Sequence, residues 1–494
     1  MASLPREMQY QDVDEDILGQ SQFIETRIIQ PVAGWDGASQ GQIRFMLPKT
    51  GVMDRNAYIS YKCLGPNNNH SLPLYTGGLA MIQTATLLCG GRQVQRTPEV
   101  ARLLTMTNYY RSPHDRDNKQ AIRTGQFTGL QVDTTAAGLP GHWGINSQAD
   151  WCFEDGANNY QITSGYRMTN NVDSTPEWRI YLADLFPMLY ANTLPLGLID
   201  NNFSIVLDLT PDIVRGQRSI TRAPAAGNAW LAGTNVIEPR LVVDLAFYDD
   251  PIDQPTTMDR MRESLNKGVK VVFTDSQLVI RNQPAVPVGT TQQVDVLLAL
   301  DHQIVRNILI ASPFALNYGA PTTQGTLTSG QYFSTGSSNV FGGNSGNTLN
   351  LSINSVPVYP NPINTDAKIW NEMSQVFPEP FQINSAYYSY VGQVDNVGAV
   401  VPTLVRITDK SVGGAGRSQA GSGTGLSFYK GMNLSKTYAN VIGAGTAISR
   451  EPVLLSIVEE RVTAVAGLAK IIYIWCQTER LMSIMGGQIS VSGS

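Results

Sequence analysis

Residues 203–209 read Phe-Ser-Ile-Val-Leu-Asp-Leu. Phe203, Ile205, Leu207 and Leu209 fall on one side of an extended chain, and Ser204, Val206 and Asp208 on the other. A period of two suits a strand with one face on a core; a helix repeats every 3.6 residues and would scatter the same residues. The pattern recurs at Ile43, Phe45 and Leu47, at Ile59, Tyr61 and Cys63, and at Leu241, Val243, Leu245 and Phe247. Turn-forming stretches separate the runs, among them Asp36–Gly41, Pro48–Gly51, Gly90–Gly91 and Asn201–Asn202. Short strands punctuated in this way argue against a parallel α/β sheet and predict sandwiches or jelly rolls.

In order, the first half offers strands at Phe23–Val32, Gln42–Leu47, Ala57–Leu64, Ala80–Leu88, Gln93–Gln95, Arg179–Leu182, Phe203–Leu209 and Arg240–Tyr248. A helix is expected to about Tyr110, with Thr97 as N-cap, Pro98 first and Glu99 in the first turn. The second half opens on a helix, Thr257–Asn266, stopped by Lys267–Gly268. Strands follow at Val269–Phe273, Ser276–Arg281, Gln292–Leu300, Arg306–Ala311, Leu349–Ile353, Pro452–Glu459, Leu468–Thr478, Leu481–Met485 and Gln488–Val491, with a helix at Thr365–Phe377. Ile471, Tyr473 and Trp475 alternate with Ile472, Ile474 and Cys476, so both faces of that strand are apolar; it belongs in the middle of a sheet covered on both sides.

Asp249–Asp250–Pro251 and Gln254–Pro255 break the chain between the halves. The expected organisation is an N-terminal arm at 1–20, a first roll at 21–253 and a second roll with a C-terminal tail at 254–494. Each half holds about eight strand candidates, so the fold class is all-β: two tandem eight-stranded antiparallel jelly rolls with short helices in loops. No residue-level repeat links them. The longest strand-free stretches are 120–175, 210–235, 317–347 and 411–431, and long loops of this kind are usually functional or subunit contacts.

Composition narrows the function. Charged residues are 15% of the chain, against about 25% in an average soluble protein. Surfaces buried between subunits show the same depletion. Net charge is -5, and residues 1–20 hold Glu7, Asp12, Asp14, Glu15 and Asp16 against Arg6 alone. No basic stripe is present to release counterions, so tight direct binding to nucleic acid is not expected. The N-terminus lacks the basic start and apolar core of a signal peptide. The most apolar run, Val462–Cys476, is interrupted by Lys470 and is too short to span a bilayer.

Catalytic and metal chemistry find little support. Cys63, Cys89, Cys152 and Cys476 are scattered without zinc spacing, as are His70, His114, His142 and His302. Asp244, Asp249, Asp250 and Asp253 gather near one strand end, as a glycosidase pair would, but acids at a domain boundary are more often turn formers. Gly342–Gly346 lacks the ending of a phosphate loop. Asn69, Asn202, Asn350 and Asn433 lie in glycosylation sequons that read as chance without an export signal. No catalytic, cofactor-binding or metal-binding residue is assigned, and no cofactor is expected.

Several ordered landmarks carry a resemblance. They are Gln42–Asp54, Gly77–Ile82, Cys89–Gly91 followed by Val100–Tyr110, and Arg179–Leu209 with its Leu194–Pro195–Leu196. In the second half they are Asn361–Asn364, Met373–Phe377, Pro380–Gln382, and Glu479–Ile484 with Gly486–Gly487. This set resembles the double jelly-roll major capsid proteins of virophages and Polinton-like viruses, in the PRD1–adenovirus lineage. The resemblance implies a structural protein, not an enzyme: a pseudo-hexagonal homotrimeric capsomer of an icosahedral dsDNA virus shell. It implies self-association, neighbouring capsomers, penton and minor capsid proteins as partners, and the virion as location, after synthesis in the host cytoplasm or nucleus. The reading from another class is a β-sandwich carbohydrate-active enzyme or surface adhesin.

Overall fold

The computed structural model describes residues 21–35, 41–65, 70–71, 77–109, 121–124, 131–133, 141–143, 152–155, 159–162, 167–168, 177–189, 193–210, 217–218, 235–249, 257–284, 287, 289–311, 348–364, 368, 371–372, 375–376, 390–394, 400–406, 430–435, 445–460 and 470–492. The acidic arm 1–20, the boundary stretch 250–256 and most of the long segments named above lie outside the described residues.

Eight strands make the first half: β1 (Ser21–Ile29), β2 (Gln42–Met46), β3 (Tyr58–Leu64), β4 (Ile82–Cys89), β5 (Arg92–Pro98), β6 (Glu177–Tyr181), β7 (Phe203–Leu209) and β8 (Asn235–Asp249). They form two sheets, ordered β1-β8-β3-β6 and β2-β7-β4-β5. Eight more make the second half: β9 (Val269–Gln283), β10 (Thr291–Leu298), β11 (Gln303–Ala311), β12 (Thr348–Ile353), β13 (Val356–Pro357), β14 (Lys430–Asn433), β15 (Val453–Glu460) and β16 (Lys470–Met485). Their sheets run β9-β16-β11-β14 and β10-β15-β12-β13. Adding eight to each label of the first pair reproduces the second. Every pairing in the four sheets is antiparallel. Each half is thus an eight-stranded jelly roll. The duplication expected from strand alternation is present in the wiring, although the residues themselves do not repeat.

Alternation places the cores. On β7, Ile205 lies between Phe45 of β2 and Leu87 of β4, and Leu207 between Ile43 and Ala85; all six side chains are buried. Across from them, β8 contributes Leu241, Val243 and Leu245, each fully buried, with Ile59 of β3 opposite Leu241. Burial of side chains this size is worth about 1.5–3 kcal/mol apiece, which holds the two sheets together. Short accessory strands extend the scaffold. Val52–Met53 pairs with β8, Thr446–Ile448 with β11, and Gln488–Ser492 with β16.

Two helices pack near the junction of the rolls: α1 (Val100–Tyr109) and α2 (Thr257–Lys267). Gly268, at φ +90, ends α2 where the sequence places its stop. The start of α1 differs from expectation. Thr97 and Pro98 are still strand, paired with Ala85 and Thr84. The chain turns instead at Glu99, whose φ is +51, and the Glu99 carbonyl accepts the first helical bond from Leu103 N at 3.0 Å. Pro98 is tolerated at the end of an edge strand because no ladder donor is needed there.

Other boundaries shift for related reasons. The runs at Val269–Phe273 and Ser276–Arg281 are one strand, since Thr274 and Asp275 pair without a break against Glu479 and Thr478. Leu481–Met485 likewise continues β16. Ala80–Met81 belongs to a 3₁₀ turn, Gly77–Met81, that precedes β4. Stretches read as strand-free contain short pairs, such as Cys152–Asp155 with Asn159–Ile162 and Gln131–Asp133 with Gly141–Trp143. Residues 411–431 run into β14, so Gly431 is a buried strand residue opposite Leu309 rather than loop.

Candidate assembly surfaces and the seam between the rolls

The central strand β16 explains its two apolar faces. Ile472, Ile474 and Cys476 are buried, and so are Tyr473 and Trp475, which stack with ring centroids 5.9 Å apart. Tyr473 and Trp475 meet the first roll. The Trp475 indole Nε1 donates to the Pro98 carbonyl at 3.3 Å, and the Arg102 guanidinium lies 4.4 Å over the Tyr473 ring. Arg102 has no exposed surface, and its charge is met by the Glu99 carboxylate one helical turn away. Gln83 Nε2 approaches the same carboxylate at 3.4 Å. Burial pushes the Tyr473 hydroxyl up to about 12, with Arg102 opposing the rise.

Beside this cluster, edge strand β5 of the first roll lies against edge strand β9 of the second. Buried Gln95 joins three chain segments: its Nε2 donates to the Thr274 carbonyl at 2.8 Å and its Oε1 accepts from Met188 N at 3.1 Å. The Thr97 hydroxyl donates to the Leu185 carbonyl. Asp275 is buried and pairs with Arg480 at 2.9 Å. Burial holds its carboxyl above the usual carboxylate range, while Arg480 and the backbone N–H groups of Ser276 and Arg96 pull the other way. A second latch lies in the loop before β7. Asp200 N donates to the Gly487 carbonyl at 3.0 Å, and Lys49 Nζ to the Asp200 carbonyl at 2.8 Å. Gly487 has φ +77, and a Cβ there would meet the Asp200 carboxyl carbon at 2.8 Å.

The outward faces are unusually apolar at a few points. Ile24, Ile28, Leu297, Val356 and Met485 are each about 60% exposed or more. On the outer face of the sheet β1-β8-β3-β6, Ile24 and Ile28 mark one edge. At the other edge cations and rings alternate: Arg179 lies 5.0 Å over Tyr58, Tyr58 meets Tyr181 edge-on at 6.1 Å, and Arg123 lies 4.1 Å over Tyr181 while pairing with Asp184.

The carboxylates weighed from sequence do not come together as a hydrolytic pair. Asp244 accepts a bond from the Thr26 hydroxyl at 2.6 Å; Asp249 ends β8, and Asp250 and Asp253 lie outside the described residues. Gly342–Gly346 and Asn69 also lie outside them. Two sequon asparagines are structural: Asn350 bonds to the Tyr359 carbonyl and to Leu351 N, and Asn433 bonds to Gln375 and Ser435 N. Asn202 is exposed, and its carbonyl accepts from Gly90 N. Cys63, Cys89 and Cys476 are buried thiols, the last pushed by burial to about 12. Among the described residues no group of three or more His, Cys, Asp or Glu could hold a metal, and no helix is long and apolar enough to cross a membrane. The seam residues Gln95, Arg102 and Asp275 carried no signal in the sequence, because their partners are far away along the chain.

Comparison with solved structures agrees with the wiring. The chain superposes on the Sputnik virophage structure with a TM-score of 0.58 at 12% identity, covering 100% of this chain and 92% of that one. Against PBCV-1 VP54 fitted into a reconstruction of Sputnik the TM-score is 0.56 at 13% identity, with 96% and 97% covered. Against the PBCV-1 virus capsid model it is 0.55 at 13%, with the same coverage. The fold is the double jelly roll. Its structural neighbours are double jelly-roll major capsid proteins of virophages and other viruses. No family model and no curated protein matches the sequence. At such identities the likeness is one of backbone, and what this double jelly roll does has to be argued from its own surfaces.

The seam makes two outcomes measurable. Gly487→Ala should lower unfolding stability by at least about 1 kcal/mol through backbone strain alone. Adding Asp200→Ala should recover the steric part but not the strain, a coupling read by a double-mutant cycle in denaturant. Asp275 titrates with a raised native value, so it binds its proton more tightly when folded. Its contribution to stability is therefore fullest below the ordinary carboxylate range and is lost as pH rises through the raised value. Asp275→Asn removes that slope: its stability relative to wild type should rise with pH across this window, and a fall would mean that Arg480 outweighs burial.

Proposed function

We propose that this chain is a major capsid protein whose homotrimer forms a pseudo-hexagonal capsomer of an icosahedral dsDNA virus shell. The observation that carries the reading is the pair of identically wired rolls joined by a buried seam, over a length that matches capsid structures almost end to end. Two rolls fixed side by side give one chain two similar faces. Three such chains present six rolls around an axis, which is a footprint that can tile as a hexagon. The function then resides in surfaces, and no residue is assigned a catalytic, cofactor or metal role.

In this reading the chain divides into an arm at 1–20, a roll at 21–253 and a roll with tail at 254–494. Its partners are further copies of itself, then penton and minor capsid proteins at positions where the lattice changes. Its place is the virion shell. Low charge and exposed apolar residues support large subunit contacts, of the class burying about 2,000–5,000 Å². Insertions outside the sixteen strands of the rolls are free to vary in length, so the long segments 120–175, 210–235, 317–347 and 411–431 would supply towers and clasps.

Purified protein should sediment as a trimer and appear in negative stain as hexagonal rings; a stable, folded monomer at micromolar concentration would overturn the reading. With net charge -5 per chain, the trimer should show no micromolar, salt-sensitive binding to duplex DNA, measured by titration at two ionic strengths. Genome packaging would then depend on other proteins.

A further inference from the structure

On the first-roll side, the seam is built by the hairpin β4-β5 and the segment that leads from it into α1. The second roll repeats this unit. β4 and β5 turn at Gly90–Gly91, with Cys89 opposite Arg92; β12 and β13 turn at Asn354–Ser355, with Ile353 opposite Val356. All four turn residues have positive φ, as a two-residue turn suited to a twisted hairpin requires. At the same distance before the turn, Ala85 pairs with Thr97 in one roll and Leu349 bridges to Ile363 in the other. Both segments then enter a helix, α1 in the first roll and helical residues 368, 371–372 and 375–376 in the second. The two units differ in burial. The second roll covers the first unit, and Gln95, Thr97 and Arg102 are buried. In the second unit Val356 is 65% exposed, and Pro360 and Asn361 are exposed. So is Lys368, which follows Ile363 at the spacing at which Arg102 follows Thr97. This is a seam with one side absent.

Inside the chain the absent side is supplied by β9, the first strand of the second roll; its counterpart in the first roll is β1. Among the described residues β1 has a sheet neighbour on one side only, β8. Its outward side chains Ile24 and Ile28 are 62% and 61% exposed, with Thr26 between them. Glu25 and Arg27 lie on the other face and pair with each other at 2.7 Å. Asp244, beside Thr26, accepts a bond from its hydroxyl at 2.6 Å. Residues 353–364 hold three prolines and no charged residue. Two such surfaces can be buried without stranding an unpaired charge. The prolines cannot donate to a ladder, so the edges would meet without merging, as β5 and β9 meet while belonging to separate sheets. We propose that residues 356–364 of one copy dock on the β1 edge of a second copy, repeating between chains the seam that β5 and β9 make within one. Such a contact is head-to-tail and generates either a ring or an open filament. That it closes at three chains rests on the shell reading; which surfaces meet rests on the wiring.

The experiment uses the full chain. Asn361→Glu spoils one side of the contact and Ile28→Glu the other. Each variant alone should associate at least about tenfold more weakly than wild type in sedimentation at matched concentration, because a carboxylate is buried without a partner. Leu297→Glu, at a residue 60% exposed on β10, should associate like wild type. An equal mixture of Asn361→Glu and Ile28→Glu retains one intact contact, between the sound side of each. It should give heterodimers and stop there, since every closed ring of three contains a spoiled contact; a contact using one patch on both copies would not behave so. Independently, the double variant Asn361→Cys/Ile28→Cys, treated with a short bifunctional thiol reagent, should be linked into covalent trimers. Either single variant should be linked no more than wild type. The proposal is overturned if both glutamate variants associate like wild type, if their mixture gives no heterodimer, or if the double cysteine variant is linked no more than the single ones. Should a glutamate variant fail to fold, the cysteine comparison decides. Trimers that persist without this linkage would sink the contact and spare the shell reading. Linkage into open chains longer than three would sink the shell reading and spare the contact.

Discussion

The Arg102 guanidinium sits without exposed surface between the Glu99 carboxylate and the Tyr473 ring. A buried charge costs several kcal/mol unless it is met on most sides. Here the carboxylate comes from the first roll and the ring from the second, so the charge is met on both sides only while the rolls stay docked. The turn that supplies Glu99 is itself unusual, a non-glycine residue at φ +51. That conformation ends β5, frees the Pro98 carbonyl for the Trp475 indole, and starts α1 with Arg102 aimed at Tyr473. One local strain thus orients two contacts across the seam.

Docking in this manner makes the double roll a single mechanical body. Hydrophobic packing alone would let two sheets slide, since it is nearly indifferent to direction. Directional bonds from Gln95 to Thr274, and from Asp200 to Gly487, fix the register of one roll on the other at two separated places. A tile that must match neighbours on several sides needs its two halves held at a constant angle, and polar contacts supply that more sharply than apolar area does.

Much of the architecture is legible in the sequence because burial imposes a period of two. β7, β8 and β16 are each visible from alternating or doubly apolar runs, and the two apolar faces of β16 announce a cover on both sides, the second of which is the first roll. Local rules fail where tertiary pairing outvotes them. Thr97–Pro98–Glu99 has the look of a helix cap, yet Thr97 and Pro98 are held in the ladder by Ala85 and Thr84. Thr274–Asp275 looks like a strand break, yet Asp275 is buried beside Arg480. β13 is two residues long, too short for any periodicity. The seam is invisible in sequence because it joins residues such as Pro98 and Trp475, 377 positions apart.

Sheet edges impose a constraint of their own. An open sheet always has two edges, and four sheets have eight of them. Inside the chain, the β5 edge is spent on the β9 edge, and β2 is closed by the segment before it. An edge left straight and apolar in a monomer would be a route to aggregation, and selection for solubility would normally place a lysine or proline there. β1 instead keeps isoleucine on its outward face, and its two charges on the other face, Glu25 and Arg27, pair with each other at 2.7 Å. The low overall charge fits the same logic. Charges that would keep copies apart in solution are the ones a surface destined for burial cannot retain, because each would have to be desolvated without a partner.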